Sequence, residues 1–338
     1  MEKSMKILIA TGIYPPDIGG PAEYAFNLER EFRALGYEVN VLSYRLEKKL
    51  PIGIRHLYYF FRTVFSLPGT TFILALDTWS VGLPALLAAK LFGKKVIMRI
   101  GGDFLWESYV ERSKHMIPLS RFYGDKSVRL NVKEKIIKML MGIALRNTNA
   151  LAFTTEWQKN IMSTPYAISP TRTQIIPNYV GMKLGGEAPS KKNFIFSTRS
   201  IVIKNEITLR EAFAEAKKIR PEIELDTEKL PHEKFMEKIK SSYAIILPSL
   251  SEVCPNLILE AIQRGKPFIL TKDTGLYETV KNLGIFVDPL DKEAITKAIL
   301  RLVDDAEYRE YVKNIETFAY RHSWGDMAEE YINLSKKI

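Results

Sequence analysis

The sequence predicts an α/β protein made of two units that follow one another along the chain, each with a parallel β-sheet. The chain has 338 residues, more than the roughly 250–300 at which a single hydrophobic core stops growing. Short apolar runs alternate with segments of helical periodicity, as they do in sheets joined by crossover helices. The alternation starts again after 181–190, a stretch rich in turn-forming residues.

The predicted strands divide evenly between the two halves. We expect strands at 6–10, 38–42, 72–76, 95–100 and 150–154 in the first half, and at 193–197, 222–226, 244–247, 267–270 and 285–287 in the second. Residues 72–76 are apolar throughout, which is typical of a strand buried on both faces. Helical periodicity fills the intervals, for example at 21–35, 207–219 and 291–303.

Basic residues are concentrated in the first half. The net charge of the chain is +10; residues 1–180 hold 24 Lys and Arg against 14 Asp and Glu, whereas 181–338 hold 25 of each. This asymmetry predicts an anionic partner for the first half, such as a membrane surface, a nucleic acid or a phosphorylated substrate. Nucleic acid is disfavoured because no recognised nucleic-acid module is present.

Two segments of the first half combine basic and apolar residues, 45–62 and 133–146. The second is predicted to be a helix with one apolar face, formed by Ile136, Ile137, Leu140, Ile143 and Ala144. The first contains an aromatic run at 58–61. Together they predict a peripheral contact with an anionic membrane. The alternative is that both apolar faces pack into the protein's own core.

Several classes of protein are disfavoured. No G-x-G-x-x-G and no G-x-x-x-x-G-K-[ST] occurs, which argues against dinucleotide dehydrogenases and P-loop nucleotidases. The four histidines and the single cysteine, Cys254, show no zinc-site spacing. No apolar run approaches the ~20 residues that span a bilayer, and no signal-peptide pattern is present, so we expect a cytoplasmic protein.

The strongest chemical signal lies at 248–261, where a predicted strand is followed by a loop and a helix beginning near Asn256. A helix N-terminus suits a phosphate. Glu252 lies in the preceding loop and Glu260 one turn into the helix, so carboxylates flank the phosphate position and can accept hydrogen bonds from sugar hydroxyls. The alternative is an ordinary strand-loop-helix with two surface glutamates.

These motifs resemble those of retaining glycosyltransferases of the GT-B fold, family 4, also called group 1. Residues 249–270 are similar to the family's E-x7-E region, and 14–20 to its glycine loop. Pro177-Asn178 resembles the turn before its linker, 197–204 its Arg–Lys pair, and Ser323-Trp324 the start of its last helix. The similarity extends over nearly the whole chain.

The resemblance implies two Rossmann-like domains facing each other across a cleft: an acceptor-side domain at 1–180, a nucleotide-sugar-binding domain at 181–317, and a C-terminal helix at 318–338 that packs back on the first. Arg199 and Lys204 would neutralise the leaving diphosphate, with Glu252 as the third catalytic residue. The implied donor-binding residues are Gly19, Gly20, Gly102, Asp103, Pro255, Asn256, Leu257 and Glu260. No D-x-D motif is present, so no metal and no other cofactor is expected.

The chain departs from the family pattern at three places. Gly101 stands near a position where many relatives have histidine, and Asn205 follows the lysine where glycine is usual. The segment 222–242 is shortened, which removes the basis for carrying over a base specificity.

The expected function is sugar transfer from a nucleotide-sugar donor to a hydroxyl acceptor, lipid-linked or part of a glycan, with retention at the anomeric carbon. The alternative is a catalytically silent nucleotide-sugar-binding partner in a glycan assembly system.

Overall fold

A computed structural model describes residues 5–17, 19–196 and 198–338. Ile18 of the glycine loop and Ser197 at the end of a predicted strand lie outside the described residues. The chain divides into two compact units. The first extends to Leu105 and includes Arg129–Tyr179 and His322–Ile338; the second comprises Trp106–Val128 and Val180–Arg321.

The first unit is built on a parallel six-stranded sheet in the order β2-β1-β3-β4-β5-β6. Its strands are β1 (Lys6–Ala10), β2 (Glu38–Leu42), β3 (Phe72–Ala75), β4 (Lys95–Ile100), β5 (Ala150–Phe153) and β6 (Thr173–Ile175). The helices of this part of the chain are α1 (Gly20–Ala34), α2 (Ile52–Ser66), α3 (Gly82–Leu91), α4 (Phe104–Ser113), α5 (Leu119–Phe122), α6 (Val132–Asn147) and α7 (Glu156–Tyr166).

The second unit is built on a parallel five-stranded sheet in the order β11-β10-β9-β7-β8. Its strands are β7 (Lys192–Ile195), β8 (Ile223–Asp226), β9 (Ala244–Leu247), β10 (Phe268–Thr271) and β11 (Gly284–Val287). The remaining helices are α8 (Glu206–Ile219), α9 (His232–Ser241), α10 (Asn256–Gln263), α11 (Tyr277–Val280), α12 (Lys292–Leu302), α13 (Asp305–Thr317) and α14 (Trp324–Lys337).

Both sheets form because apolar strands are buried on two faces by crossover helices. Every residue of β3, β5, β9 and β10 is buried. Each unit has its own core: one centres on β1, β3 and α1, and the other on β7, β9, β10 and α12. The two-sheet α/β fold predicted from the sequence is therefore confirmed.

The last helix belongs to the first unit, as the resemblance implied. Ser323 caps α14 through a capping box with Asp326. The helix packs on α1, and the hydroxyls of Tyr24 and Tyr331 lie 2.9 Å apart in the buried interface. Trp324 stacks on Tyr179 with their planes 6° apart.

The segment Trp106–Val128 packs with the second unit, whereas the sequence places it within the first unit, 1–180. Hydrogen bonds attach it there. The backbone N–H of Leu119 donates to Oγ of Ser251 at 2.7 Å, and the backbone N–H of Ile203 donates to a carboxylate oxygen of Glu111 at 3.4 Å.

The helix predicted at 133–146 forms as α6, but only part of its predicted apolar face is buried. Ile137 and Ala144 are buried, whereas Ile136 is 46% and Ile143 38% exposed. No helix in the described part of the chain is long and apolar enough to cross a bilayer.

Candidate active site

In the second sheet, the direction in which successive strands are added reverses between β7 and β9. β7 is bordered by β8 on one side and by β9 on the other. The connections that follow β7 and β9 therefore lead toward opposite ends of the sheet. The carboxyl edge at such a switch point is where open α/β sheets bind ligands. The first loop carries the predicted residues Arg199 and Lys204, and the second carries Glu252.

Lys204 and Glu252 meet at this position. Nζ of Lys204 donates to Oε1 of Glu252 at 2.5 Å. Their side chains are only 16% and 11% exposed, so the interpretation of Glu252 as an ordinary surface glutamate is wrong. Because little water reaches the pair, loss of either partner would leave a poorly solvated charge.

The backbone of Glu252 is fixed by the loop that follows β10. Its N–H donates to the carbonyl of Asp273 at 2.9 Å, and its own carbonyl accepts from the N–H of Gly275 at 3.1 Å. These bonds form an isolated parallel bridge between Glu252 and Thr274. The loop that carries the carboxylate is therefore fixed through both the backbone N–H and the backbone C=O of Glu252.

Asn205 explains why the residue after Lys204 need not be glycine. Its backbone has φ 57° and ψ 33°, the left-handed region that asparagine tolerates better than most side chains. The side chain is buried, and its Nδ2 donates to the carbonyls of Pro248 at 3.0 Å and Pro289 at 2.7 Å. Asn205 thus fastens the Lys204 turn to the loops that follow β9 and β11.

Arg199 is not brought into the ion pair. It lies exposed in the loop after β7, and its guanidinium has no partner among the residues that the structure describes. Its carbonyl accepts from the N–H of Ile201 at 2.9 Å, which closes a tight turn. Of the two cations predicted from the sequence, Arg199 is therefore exposed, and the charge of Lys204 is balanced by Glu252.

Helix α10 begins directly after this loop, with Pro255 as its buried N-cap and Asn256 exposed as its first residue. Leu257 is half-buried against the core. Glu260 is half-buried one turn further on. The helix is held by an apolar face of Ile258, Leu259, Ala261 and Ile262.

The structure adds Ser251 and Asp273 to this neighbourhood. Oγ of Ser251 donates to Oδ1 of Asp273 at 2.5 Å. Asp273 also accepts from the hydroxyl of Ser120, so it ties the segment around Leu119 to the Glu252 loop. Asp273 lies two residues after the end of β10, the neighbour of β9, and the rule that ligands lie at the carboxyl edge could have identified it.

The other predicted donor-binding residues lie in the first unit. Gly19 is the N-cap of α1 with φ 144°, a backbone conformation that residues with a side chain rarely adopt. Its carbonyl accepts from the N–H groups of Ala22 and Glu23 at 2.9 and 3.2 Å. Gly20, the first helical residue, is exposed. The loop follows β1, where the direction in which strands are added to the first sheet also reverses.

Gly102 and Asp103 follow β4 at the same edge of the first sheet, Gly102 half-buried and Asp103 buried. Beside them, a Cβ added at Gly101 would lie 2.4 Å from Nη1 of Arg99. Arg99 stacks over the ring of Tyr24 at 4.0 Å and donates to Oδ1 of Asn178 at 3.0 Å. A basic side chain therefore occupies the space next to the position where relatives have histidine.

Within residues 5–17, 19–196 and 198–338, no three His, Cys, Asp or Glu side chains are grouped so that they could hold a metal ion. Metal independence stays a prediction.

Residues 208–317, roughly a third of the chain, match the family described as glycosyl transferases group 1. This range contains Glu252 and α10 but not Lys204. An uncharacterized glycosyltransferase of Methanocaldococcus jannaschii is 33% identical over 101 residues, 29% of this chain and 26% of that protein. Sucrose-phosphate synthase 4 of Arabidopsis thaliana is 33% identical over 97 residues, 28% of this chain and 9% of that protein. The match thus spans about a quarter or less of these relatives' length.

Solved structures of other proteins share the fold over nearly the whole chain. Sucrose-phosphate synthase from Thermosynechococcus elongatus superimposes with a TM-score of 0.74 at 15% identity, over 98% of each chain. HepE from Anabaena, solved with UDP-glucose, has a TM-score of 0.68 at 12% identity, over 99% of this chain and 100% of that one. The chain therefore has the GT-B fold, and residues 208–317 of its second unit match the glycosyl transferases group 1 family.

Proposed function

We propose that the chain transfers a sugar from a nucleotide-sugar donor to a hydroxyl acceptor, with retention of configuration at the anomeric carbon. The observation that carries the proposal is the Lys204–Glu252 pair at the carboxyl edge of the second sheet, with Glu252 in the loop that leads into α10. A cation, a carboxylate and a helix N-terminus are the groups that a sugar diphosphate requires.

Lys204 and Arg199 have different roles in this proposal. Lys204 is held in place by its ion pair and by the Asn205 turn, so it meets the diphosphate without reorganisation. Arg199 is exposed and has no partner among the described residues, so it closes on the diphosphate from solvent. Both cations would stabilise the negative charge that grows on the diphosphate as the glycosidic bond breaks.

The two glutamates would recognise different parts of the donor. Glu252, beside Lys204, accepts hydrogen bonds from the hydroxyls of the transferred sugar, and Glu260, one turn into α10, from those of the nucleoside ribose. Retention rests on the family resemblance. The leaving phosphate would take the proton of the acceptor hydroxyl, while the protein positions both reactants and stabilises charge.

UDP-glucose is the first donor to test, because HepE was solved with it. Donors with other bases are tested beside it, because only the five residues 227–231 join β8 to α9. This short connection is also the observation that favours a catalytically silent nucleotide-sugar-binding partner.

The acceptor in this proposal is lipid-linked or part of a glycan, and the protein acts as a peripheral membrane protein on the inner face of the cell membrane. The support is the excess of basic residues in 1–180.

A donor screen tests the proposal. Purified protein is heated with UDP-, GDP-, ADP- or TDP-sugars, and release of the nucleoside diphosphate is measured in parallel. One donor class should stabilise the fold, by about 2.7 kcal/mol at 100 times its dissociation constant, and release diphosphate when acceptor is supplied. Stabilisation without turnover would favour the silent partner, and no stabilisation by any donor would refute both.

A further inference from the structure

Three neighbouring helices of the first unit, α2, α3 and α6, expose an unusual share of apolar side chains. They have 15, 10 and 16 residues, and α3 packs against both of the others. Yet they carry 12 of the 23 large apolar side chains that are exposed in the described part of the chain. The twelve are Ile52, Ile54, Leu57, Tyr58, Phe61, Phe65, Leu87, Leu91, Val132, Ile136, Met139 and Ile143. Clustered exposure of this kind indicates an interaction surface.

On α6 the exposed residues form a stripe opposite the buried face. At about 100° per residue, Val132, Ile136, Met139 and Ile143 fall on one side, and they are 38–74% exposed. The buried residues Ile137, Met141, Ala144 and Leu145 lie on the other side of the helix, which faces the interior. The outward stripe is therefore not needed for packing.

The same arrangement occurs on α2. Tyr59 and Thr63 are its buried residues, whereas Leu57, Phe61 and Phe65 are 57%, 50% and 81% exposed. Between α2 and α3 lies an open apolar groove of about 340 Å³, lined by His56, Leu57, Phe60, Leu83, Pro84 and Leu87. The apolar surface is thus continuous from α2 to α3.

The charge on these helices has one sign. Their only acidic residue, Glu134, is buried in the capping box that begins α6. Lys90, Lys133 and Lys135 are exposed. Of the remaining basic residues, Arg62 is paired with the buried Glu47 beneath the surface. An apolar stripe bordered by lysines without exposed carboxylates is complementary to a negatively charged, apolar partner.

We propose that the exposed side of α2, α3 and α6 docks on an anionic lipid bilayer, with the lysines at the headgroups and the aromatic and aliphatic side chains inserted below them. Phe61 and Phe65 are the inserted anchors. The docking surface stands independently of the transfer reaction. Only its consequence, that the acceptor is a membrane-borne lipid, rests on the proposed function.

Vesicle flotation tests the surface with two variants and two matched controls. The apolar variant is Phe61→Ser with Phe65→Ser, and its control is Ile207→Ser with Ile219→Ser, two residues on α8 of the second unit that are 77% and 63% exposed. The charge variant is Lys90→Glu, Lys133→Glu and Lys135→Glu. Its control carries the same charge change at three exposed lysines of the second unit, Lys217, Lys234 and Lys313.

The full chain should float with vesicles of phosphatidylcholine and phosphatidylglycerol at low salt, but not with phosphatidylcholine alone. Binding should fall at least about ten-fold in each variant and stay within two-fold in each control, and it should weaken as salt rises. Absence of flotation at low salt, or equal loss in the controls, would overturn the proposal.

Two further measurements separate the other outcomes. If light scattering shows that the wild type is a dimer and the apolar variant a monomer, the surface is an interface between copies and the proposal is wrong. A Lys204→Ala variant should float like the wild type, so a failure of the proposed reaction does not affect this test.

Discussion

At the residue scale, Asn205 shows how a departure from a family pattern can keep the geometry that the pattern serves. Its left-handed backbone suits glycine or asparagine, and its side chain adds two hydrogen bonds to Pro248 and Pro289 that glycine could not make. The sequence alone marks the position as an exception, because the sign of φ and the two distant carbonyls are visible only in the fold.

We therefore predict that Asn205→Gly destabilises the protein by about 1–3 kcal/mol, because two buried carbonyls lose their donor. Asn205→Ala should cost roughly 1–2 kcal/mol more, because alanine strains the left-handed backbone. Urea unfolding measures both. A glycine variant as stable as the wild type would show that these hydrogen bonds contribute nothing.

The two glutamates allow a second prediction. Glu260→Ala should weaken binding of the bare nucleoside diphosphate, whereas Glu252→Gln should mainly weaken binding of the intact sugar donor, because Glu252 lies beside Lys204 and Glu260 lies one turn into α10. Glutamine is chosen since it keeps the shape of the Glu252 side chain. Calorimetry with the diphosphate and with the donor separates the effects. Equal loss of diphosphate binding in both variants would contradict the assigned roles.

At the element scale, the sequence predicts strands well where they are apolar and buried. β1, β2, β4 and β9 have the predicted bounds. β6 was not predicted, because a half-buried edge strand of three residues carries no periodic signal and forms only by pairing with β5. The packing of Trp106–Val128 with the second unit could not be predicted either, because it depends on contacts with residues far along the chain.

Helix α6 shows why faces are harder to predict than helices. Its sequence contains two apolar stripes, and periodicity alone does not tell which of them the sheet covers. The predicted site residues show the same limit. Spacing predicted that Glu252 and Glu260 flank the start of a helix, but not that Lys204 would pair with Glu252.

The turn between α10 and β10 contains a buried lysine that makes stability depend on pH. Burial lowers the pKa of Lys266 to about 8, and its Nζ donates to the carbonyl of Glu187 at 2.6 Å. Between pH 8 and the ordinary lysine value of about 10.4, the unfolded chain holds a proton that the folded chain lacks. The free energy of unfolding should therefore rise with pH in this window.

Urea unfolding of the wild type and of Lys266→Met at pH 7.5, 8.5 and 9.5 measures this effect. The difference, wild type minus variant, should increase with pH, because all other titrating groups cancel. A difference that does not change with pH would contradict the assigned pKa.

At the scale of the whole molecule, the two units have similar sheets but different predicted roles. The second carries the predicted catalytic residues and most of the predicted donor site, and the first carries the predicted acceptor and membrane contacts together with Gly19, Gly20, Gly102 and Asp103 of the donor site. The fold followed from the alternation of strands and helices and from the family resemblance. The identity of the donor could not be predicted from the sequence. The connection after β8 is short, and the part of the family pattern that helps hold the nucleotide base is missing there.

We also predict that transfer proceeds at full rate in excess EDTA, because protein cations, not a D-x-D metal site, would neutralise the diphosphate. The rate is compared before and after chelation and again with added magnesium or manganese. Activity that disappears with EDTA and returns with either metal would refute the prediction.

The most direct test of the central claim is turnover at saturating donor for Lys204→Ala, with Lys192→Ala as the matched control. Both lysines are ion-paired, but Lys192 begins β7 at the opposite edge of the sheet and pairs with Asp305. Because Lys204 acts on charge that develops in the transition state, its loss should lower kcat by about 100- to 1,000-fold, with a smaller effect on donor binding. Arg199→Ala should also lower kcat, and Lys192→Ala should leave kcat within two-fold of the wild-type value. Equal kcat for Lys204→Ala and the wild type would contradict the account.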